Sequence, residues 1–108
     1  MSVLRLVERP RAQRDVLEMI DYVAEQGGEV AADLYNAYEE TLEVLRAHPE
    51  IGKRCPPLHP TFANLRWLPI RGFAAYLVFT AYDSMTLEIV RVLHSSRNIS
   101  AVLEDESA

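Results

Sequence analysis

Residues 87–94 have the sequence LEIVRVLH, and residues 95–98, SSRN, follow directly. Aliphatic and β-branched side chains fill most of the first segment, which is typical of a strand. This strand would deliver Arg91, His94 and Arg97 to one end of a sheet. Arginine and histidine side chains bind phosphate or carboxylate groups. The stretch that decides the fold is therefore also a candidate functional site.

Three more strands are predicted upstream of this one. Residues 65–68 form one of them, and Pro69 places it at an edge or a strand end, because proline cannot donate a ladder hydrogen bond. Phe73 to Tyr82 is the most apolar run and predicts the central strand. Val3 to Glu8 is too short and too apolar for a helix, and therefore predicts a strand near the start of the chain.

Two amphipathic helices are predicted between the first strand and the others. Pro10 opens the first helix, since proline suits the first turn, and Gly27-Gly28 ends it. The second helix runs from about Glu29 to Ala47 and stops before Pro49. Each helix carries an apolar stripe, and the sheet supplies the surface that both stripes need.

The end of the chain predicts a short closing helix from about Ser96 to Leu103, with residues 104–108 frayed. The predicted order is β-α-α-β-β-β-α. We therefore expect one α+β domain over residues 1–108, in which a helical hairpin packs on a small antiparallel sheet. A chain of 108 residues can build one modest core of this kind.

Composition is typical of a globular protein, with 49% hydrophobic and 25% charged residues. No apolar run is long enough to span a bilayer, and the N-terminus lacks the features of a signal peptide. Cys55 is the single cysteine, which excludes an internal disulfide and a cysteine-based metal cluster. A single cysteine fits a reducing cytoplasm, which is the location that we expect. His48 and His59 have no partner at metal-ligand spacing, so we expect no metal.

Charge is segregated along the chain. The balance is −6 over residues 1–50, +4 over residues 51–97 and −3 over the rest, which gives the net charge of −5. An acidic helical half therefore precedes a basic sheet half. This segregation favours an anionic partner for the sheet half, either nucleic acid or an acidic protein segment. The alternative is that scattered basic residues solubilise strand edges.

Several patterns resemble the ParE/RelE superfamily of bacterial toxins from type II toxin–antitoxin modules, over about residues 3–100. Residues 12–23, AQRDVLEMIDYV, are similar to the first-helix pattern of that superfamily. Residues 45–52, LRAHPEIG, are similar to its helix stop. The strand patterns are Leu65-Arg66, residues 76–79 (YLVF) and residues 89–97 (IVRVLHSSR). Together these patterns favour the ParE branch.

The ParE branch implies a toxin that poisons DNA gyrase by binding to it, without a cofactor or an active site of its own. It implies a ParD-like antitoxin that holds the toxin inactive, with two toxins on an antitoxin dimer. The antitoxin tail would lie on the sheet face that the hairpin leaves uncovered, although core packing is the alternative for Trp67. The predicted antitoxin contacts are Arg66, Trp67, Arg71, Tyr76 and Arg91.

The predicted gyrase contact is the start of the closing helix, because this helix extends beyond the usual end of RelE-like members. The residues that we assign to it are Arg97, Asn98 and Ile99.

The alternative is the RelE branch, whose members cleave mRNA on the ribosome. His94 would then act as the general acid, while Arg91 and Arg66 held the phosphate. Tyr76 stands where RNase members often carry an arginine, and Ser95 stands where several carry a tyrosine. The sequence pI of about 5.1 is a poor match to a ribosome-binding RNase. The ParE branch is therefore preferred, and direct nucleic-acid binding is not expected.

Arg91 leaves two arrangements open. By strand alternation it shares a face with Leu87, Ile89 and Leu93. It either pairs with an internal acid such as Asp15 or Glu18, or lies in a groove where an anion binds. The groove suits a sheet with one uncovered face.

Four other side chains receive predictions. Tyr22 and Tyr38 are expected to lie between the two helices, and Tyr35 to be exposed. Cys55 is expected to act as a small, partly buried hydrophobe rather than a reactive thiol.

Overall fold

The protein is described from a computed structural model, which covers residues 4–55 and 64–106, the last three without their side chains. Three helices and five strands follow one another along these residues. They are β1 (Arg5–Glu8), α1 (Pro10–Ala24), α2 (Gly28–Ala47), β2 (Lys53–Arg54), β3 (Leu65–Ile70), β4 (Phe73–Asp83), β5 (Thr86–His94) and α3 (Ile99–Glu106). The predicted α+β fold and its element order are confirmed, with the two-residue β2 as an addition.

The five strands form one sheet in the order β1-β5-β4-β3-β2. All neighbours are antiparallel except β1, which pairs with β5 in parallel. A parallel pair needs a long crossover, and the α1–α2 hairpin begins that connection. The sheet is therefore mixed rather than wholly antiparallel. Val3, His59 and residues 107–108 lie outside the described part of the chain.

The helical hairpin packs on one face of the sheet and forms the larger core. Pro10 starts α1 at a position where the missing N–H costs nothing. Gly27 separates the helices at a φ of 153°, which side chains rarely adopt, and α2 begins at the next residue, Gly28. Fully buried members of this core are Ala12, Leu34, Leu45, Ile70, Val78, Leu87 and Ile89.

The opposite face of the sheet carries a second apolar cluster, which α3 helps to cover. Its buried members are Cys55, Leu65, Phe79, Val90, Leu93 and Leu103. Ile99 and Val102 of α3 pack against this cluster, as does Trp67 of β3. The face that was predicted to be uncovered is thus partly occupied by the closing helix, and α3 continues through Glu106.

A bulge in β5 changes the alternation of side chains in the last strand. Phe79 of β4 pairs with Arg91, but the next residue, Thr80, pairs with Ile89. Val90 is therefore an extra residue in β5, and an extra residue of this kind re-aims the side chains that follow it.

The bulge makes the predicted grouping of Arg91 with Leu87, Ile89 and Leu93 wrong at Leu93, whereas Arg91 reaches Asp15 of α1 on the side of Leu87 and Ile89. The helix-facing core takes Leu87, Ile89 and Val92 from β5. The second cluster takes Val90 and Leu93. The regular alternation of side chains between the two faces is interrupted after Ile89, because Val90 is an extra residue between the paired residues Ile89 and Arg91.

Removing the Leu103 side chain tests whether α3 belongs to the folded core. Leu103→Ala should lower the free energy of unfolding by about 2 kcal/mol, since Leu103 is buried among the second cluster. Ser100→Ala, an exposed change in the same helix, is the matched control and should be close to neutral. Urea denaturation measures both, and equal midpoints for the two variants would contradict the packing of α3.

Candidate functional site

Arg91 forms a buried ion pair with Asp15 of α1. Its Nε donates to Asp15 Oδ2 at 2.6 Å and its Nη2 donates to Oδ1 at 2.9 Å. The backbone N–H of Val92 also donates to Oδ2, at 3.0 Å. Only 3% of the Arg91 side chain and 4% of the Asp15 side chain are exposed. The first of the two predicted arrangements, pairing with an internal acid, is the one that forms.

In this structure the Arg91 guanidinium, which was expected to contact an antitoxin or a phosphate, is engaged inside the protein. Asp15 neutralises the guanidinium through two parallel hydrogen bonds, a geometry that arginine favours. The burial of the pair leaves no surface on which an external anion can reach the cation. Arg91 therefore holds α1 against β5.

An open pocket of about 360 Å³ lies above this ion pair, between α1 and the ends of β4 and β5. We call it the strand-end pocket. It is lined by Asp15, Glu18, Met19, Tyr22, Tyr76, Val92, Leu93, His94, Ser96 and Arg97. The floor is apolar and buried, while the rim is aromatic and charged. Three residues that the sequence singled out, Tyr76, His94 and Arg97, meet here.

The His94 ring is oriented by its neighbours. Its Nδ1 accepts the Ser96 backbone N–H at 3.0 Å and lies 2.7 Å from the Ser96 hydroxyl oxygen. With Nδ1 as an acceptor, the proton of the neutral ring is on Nε2. Tyr76 packs edge-to-face on the ring, with centroids 5.1 Å apart. Burial, and secondarily the neighbouring Tyr22, raises the pKa of the Tyr76 hydroxyl.

Glu18 and Tyr22 of α1 form the opposite side of the pocket. They are four residues apart, so they stand one above the other on one side of the helix. Tyr22 is 60% exposed, which shows that its predicted position between the helices is wrong. The signal that was missed is that Glu18 and Tyr22 share a helix side with Asp15, and so approach the strand that carries Arg91.

The other predicted antitoxin contacts lie on different surfaces. Trp67 faces the second cluster, where the Lys53 ammonium lies 5.5 Å from its ring centroid. Arg66, its neighbour in β3, points to the other face, because side chains alternate along a strand. Arg71 is exposed in the turn between β3 and β4. The structure therefore does not bring the five predicted side chains onto one face.

Arg66 is engaged within the protein. Its Nη1 donates to the Gly52 carbonyl at 3.0 Å, and its Nη2 lies 3.8 Å from Glu50. Gly52 packs so closely on β3 that an added Cβ would lie 2.9 Å from the Trp67 carbonyl oxygen. Arg66 thus fastens the segment after α2 to the sheet.

The residues predicted to contact the target also separate. Arg97 is exposed at the pocket, whereas Ile99 packs on the second cluster. The Asn98 side chain accepts the Ala101 N–H at 3.3 Å and caps α3.

The three residues of the RNase alternative do not converge. His94 pairs with Tyr76 and Arg66 pairs with Thr80, positions that are about 13 Å apart along β4. Arg91 is buried against Asp15. The arrangement does not place the general acid and the two phosphate-binding cations around one point.

Burial raises the pKa of two further side chains, Tyr38 and Cys55. The Tyr38 hydroxyl donates to Glu8 at 3.1 Å, and burial is the main cause that raises the Tyr38 pKa. Burial also raises the pKa of the Cys55 thiol, which agrees with a packing role. Among the side chains of residues 4–55 and 64–103, no group of three or more potential metal ligands occurs. In the same part of the chain, no helix has the length and hydropathy to cross a membrane.

Comparison with known proteins gives the family. Residues 7–99 match the family described as ParE toxin of type II toxin-antitoxin system, parDE. The chain therefore belongs to the ParE toxin family, and the predicted branch is confirmed.

The fold has a counterpart among solved structures. A structure described as the chromosomal ParDE TA system from P. aeruginosa is similar, with a TM-score of 0.69 and 17% identity. The similarity covers 85% of this chain and 96% of that chain. At this identity the likeness supports the fold alone. No curated protein matches the sequence.

Removing Asp15 tests the buried ion pair. Asp15→Ala should lower the free energy of unfolding by roughly 3–5 kcal/mol, because it leaves the Arg91 charge buried without its partner. Glu88→Ala breaks a surface pair with Arg9, in which the side chains are 38% and 36% exposed, and should cost less than about 1 kcal/mol. Thermal and urea unfolding compare the two. Similar losses would show that the Asp15 pair is no more important than a surface contact.

Proposed function

We propose that this ParE toxin is neutralised by a ParD-like antitoxin and acts in the cytoplasm by binding DNA gyrase, without an enzymatic step. The observation that carries the proposal is the family match over residues 7–99. The engagement of both candidate phosphate-binding arginines within the protein supports a binding mechanism over RNA cleavage.

The antitoxin tail would lie beside α3, on the part of the second face around Trp67. Lys53 stacks over Trp67, and Arg71 is exposed in the next turn. No Asp or Glu occurs between residues 51 and 82, so the charges of β2, β3 and the turn after β3 are all positive. An acidic, partly apolar tail has complementary charge for this surface, and two toxins would sit on one antitoxin dimer.

The gyrase contact is assigned to the start of α3 and the loop before it. Arg97 is the exposed residue of the predicted group, while Asn98 and Ile99 support the helix. Point changes at Arg97 are therefore better tests than deletion of the helix, which would uncover the second cluster.

Expression in bacterial cells tests the proposal. Induction of the chain alone should arrest growth and induce the DNA-damage response while mRNA stays intact. Co-expression with the ParD-like protein encoded beside it should restore growth. His94→Ala should remain toxic, because His94 has no catalytic role in a gyrase poison.

Two results would contradict this account. Rapid mRNA cleavage that disappears in His94→Ala would favour the RelE-type endonuclease. Growth arrest that the neighbouring protein fails to relieve would remove the antitoxin from the proposal.

A further inference from the structure

A small polar pocket lies between the segment that follows α2 and the strands β2, β3 and β4. We call it the arginine pocket, and its lining residues are Glu50, Arg54, Asn64, Leu65, Arg66 and Tyr82. It encloses about 130 Å³, whereas one water molecule in the liquid takes roughly 30 Å³. The pocket therefore has room for a compact anion such as a phosphate group.

Two arginines stand directly opposite each other in this pocket. Arg54 of β2 pairs with Arg66 of β3 in the antiparallel ladder. The Cβ atoms of two residues paired in this way are about 5 Å apart and point to the same face of the sheet, and like charges at such positions repel each other. An anion that binds between the two guanidinium groups would remove this repulsion.

The protein itself compensates these two charges only in part. Glu50 is the one carboxylate of the pocket, and two arginines with one glutamate give a net charge of +1. The distance of 3.8 Å from Glu50 to Arg66 Nη2 is too long for a hydrogen bond, and 64% of the Glu50 side chain is exposed. Within the described part of the chain, Arg54 makes no hydrogen bond or ion pair.

The Arg66 guanidinium is oriented but keeps donors for a ligand. Its Nη1 donates to the Gly52 carbonyl at 3.0 Å, and 21% of its side chain is exposed. Its Nε and Nη2 have no hydrogen-bond partner among the described residues. Arg66 differs in this respect from the buried Arg91, which gives two hydrogen bonds to Asp15. A guanidinium with a fixed plane and unused N–H groups suits bidentate binding of phosphate.

An open apolar groove of about 540 Å³ adjoins the arginine pocket. The two share Glu50 and Tyr82, and the other residues that line the groove are Ala47, His48, Pro49 and Ile51. Ile51 is 52% exposed. The Tyr82 hydroxyl donates to the Met85 sulfur at 3.2 Å, which holds the ring in place. A flat ring can lie in such a groove while a phosphate attached to it reaches the arginines.

We propose that the arginine pocket binds the phosphate group of a small phosphate monoester whose ring lies in the adjoining groove against Ile51 and Tyr82. A nucleoside monophosphate has this chemistry. The site goes beyond the proposed function and does not depend on it, because it lies on the face of β3 opposite Trp67 and away from α3. Binding alone is proposed, since His94 lies at the other end of β4, opposite Tyr76.

NMR titration of the ¹⁵N-labelled chain at constant ionic strength tests the site, with AMP and inorganic phosphate as the two probes. Both should shift the amide signals around Arg54 and Arg66, and AMP should bind several-fold more tightly. Arg54→Gln should weaken both affinities roughly 10-fold, because a charge-assisted contact is lost. Arg14→Gln is the matched control, since Arg14 is an exposed arginine of α1 outside both pockets, and it should bind as the wild-type chain does.

Two further variants separate binding from a structural role. Glu50→Gln should strengthen the binding of both probes several-fold, because it removes the carboxylate that competes for Arg66 and repels the ligand. Ile51→Ser should lower the affinity for AMP to that for phosphate and leave phosphate binding unchanged. Thermal midpoints establish that each variant remains folded.

Three results would overturn the proposal. One is that neither probe gives a saturable shift, or that Arg54→Gln binds as Arg14→Gln does. A second is that Glu50→Gln, still folded, weakens binding, which would contradict the charge argument. The third is that AMP binds no more tightly than phosphate, which would remove the groove from the site and assign the arginine pocket to free phosphate.

Discussion

The Asp15 carboxylate is the group on which the arrangement of this protein depends. Arg91 has a buried side chain in a mostly apolar strand, and an unpaired charge there would cost several kcal/mol. Asp15 accepts two hydrogen bonds from that guanidinium and a third from the Val92 backbone N–H. One carboxylate thus joins the first helix to the last strand, just beyond the extra residue Val90.

This attachment determines which surfaces are open. With α1 fixed on β5, the hairpin covers one face of the sheet, and α3 covers part of the other. The end of β5 remains between them as an open pocket with an aromatic and charged rim. Arg66 and Arg91 both make contacts within the fold, and we therefore propose that exposed side chains such as Tyr22, Lys53 and Arg97 contact other molecules.

The sequence predicted the elements because periodicity and punctuation by proline and glycine are local properties. It did not predict the bulge at Val90, which exists only once β4 and β5 pair, and the faces of β5 were therefore assigned wrongly. Grouping Arg66 with Trp67 overlooked the alternation of a strand. Tyr22 was predicted to lie between the helices because its ring is largely apolar, but it lines the pocket at the ends of β4 and β5 and is exposed.

Arg91 is a structural residue in this fold, and we propose that the exposed surfaces carry the activity. The double variant Asp15→Asn/Arg91→Met tests it most directly, because it removes both charges and keeps an oxygen that can accept the Val92 N–H. Growth arrest on induction is the measurement, with folding verified by thermal unfolding. The account predicts a folded variant that is fully toxic and is neutralised by the co-encoded protein. A folded variant without toxicity would show that Arg91 itself acts on the target.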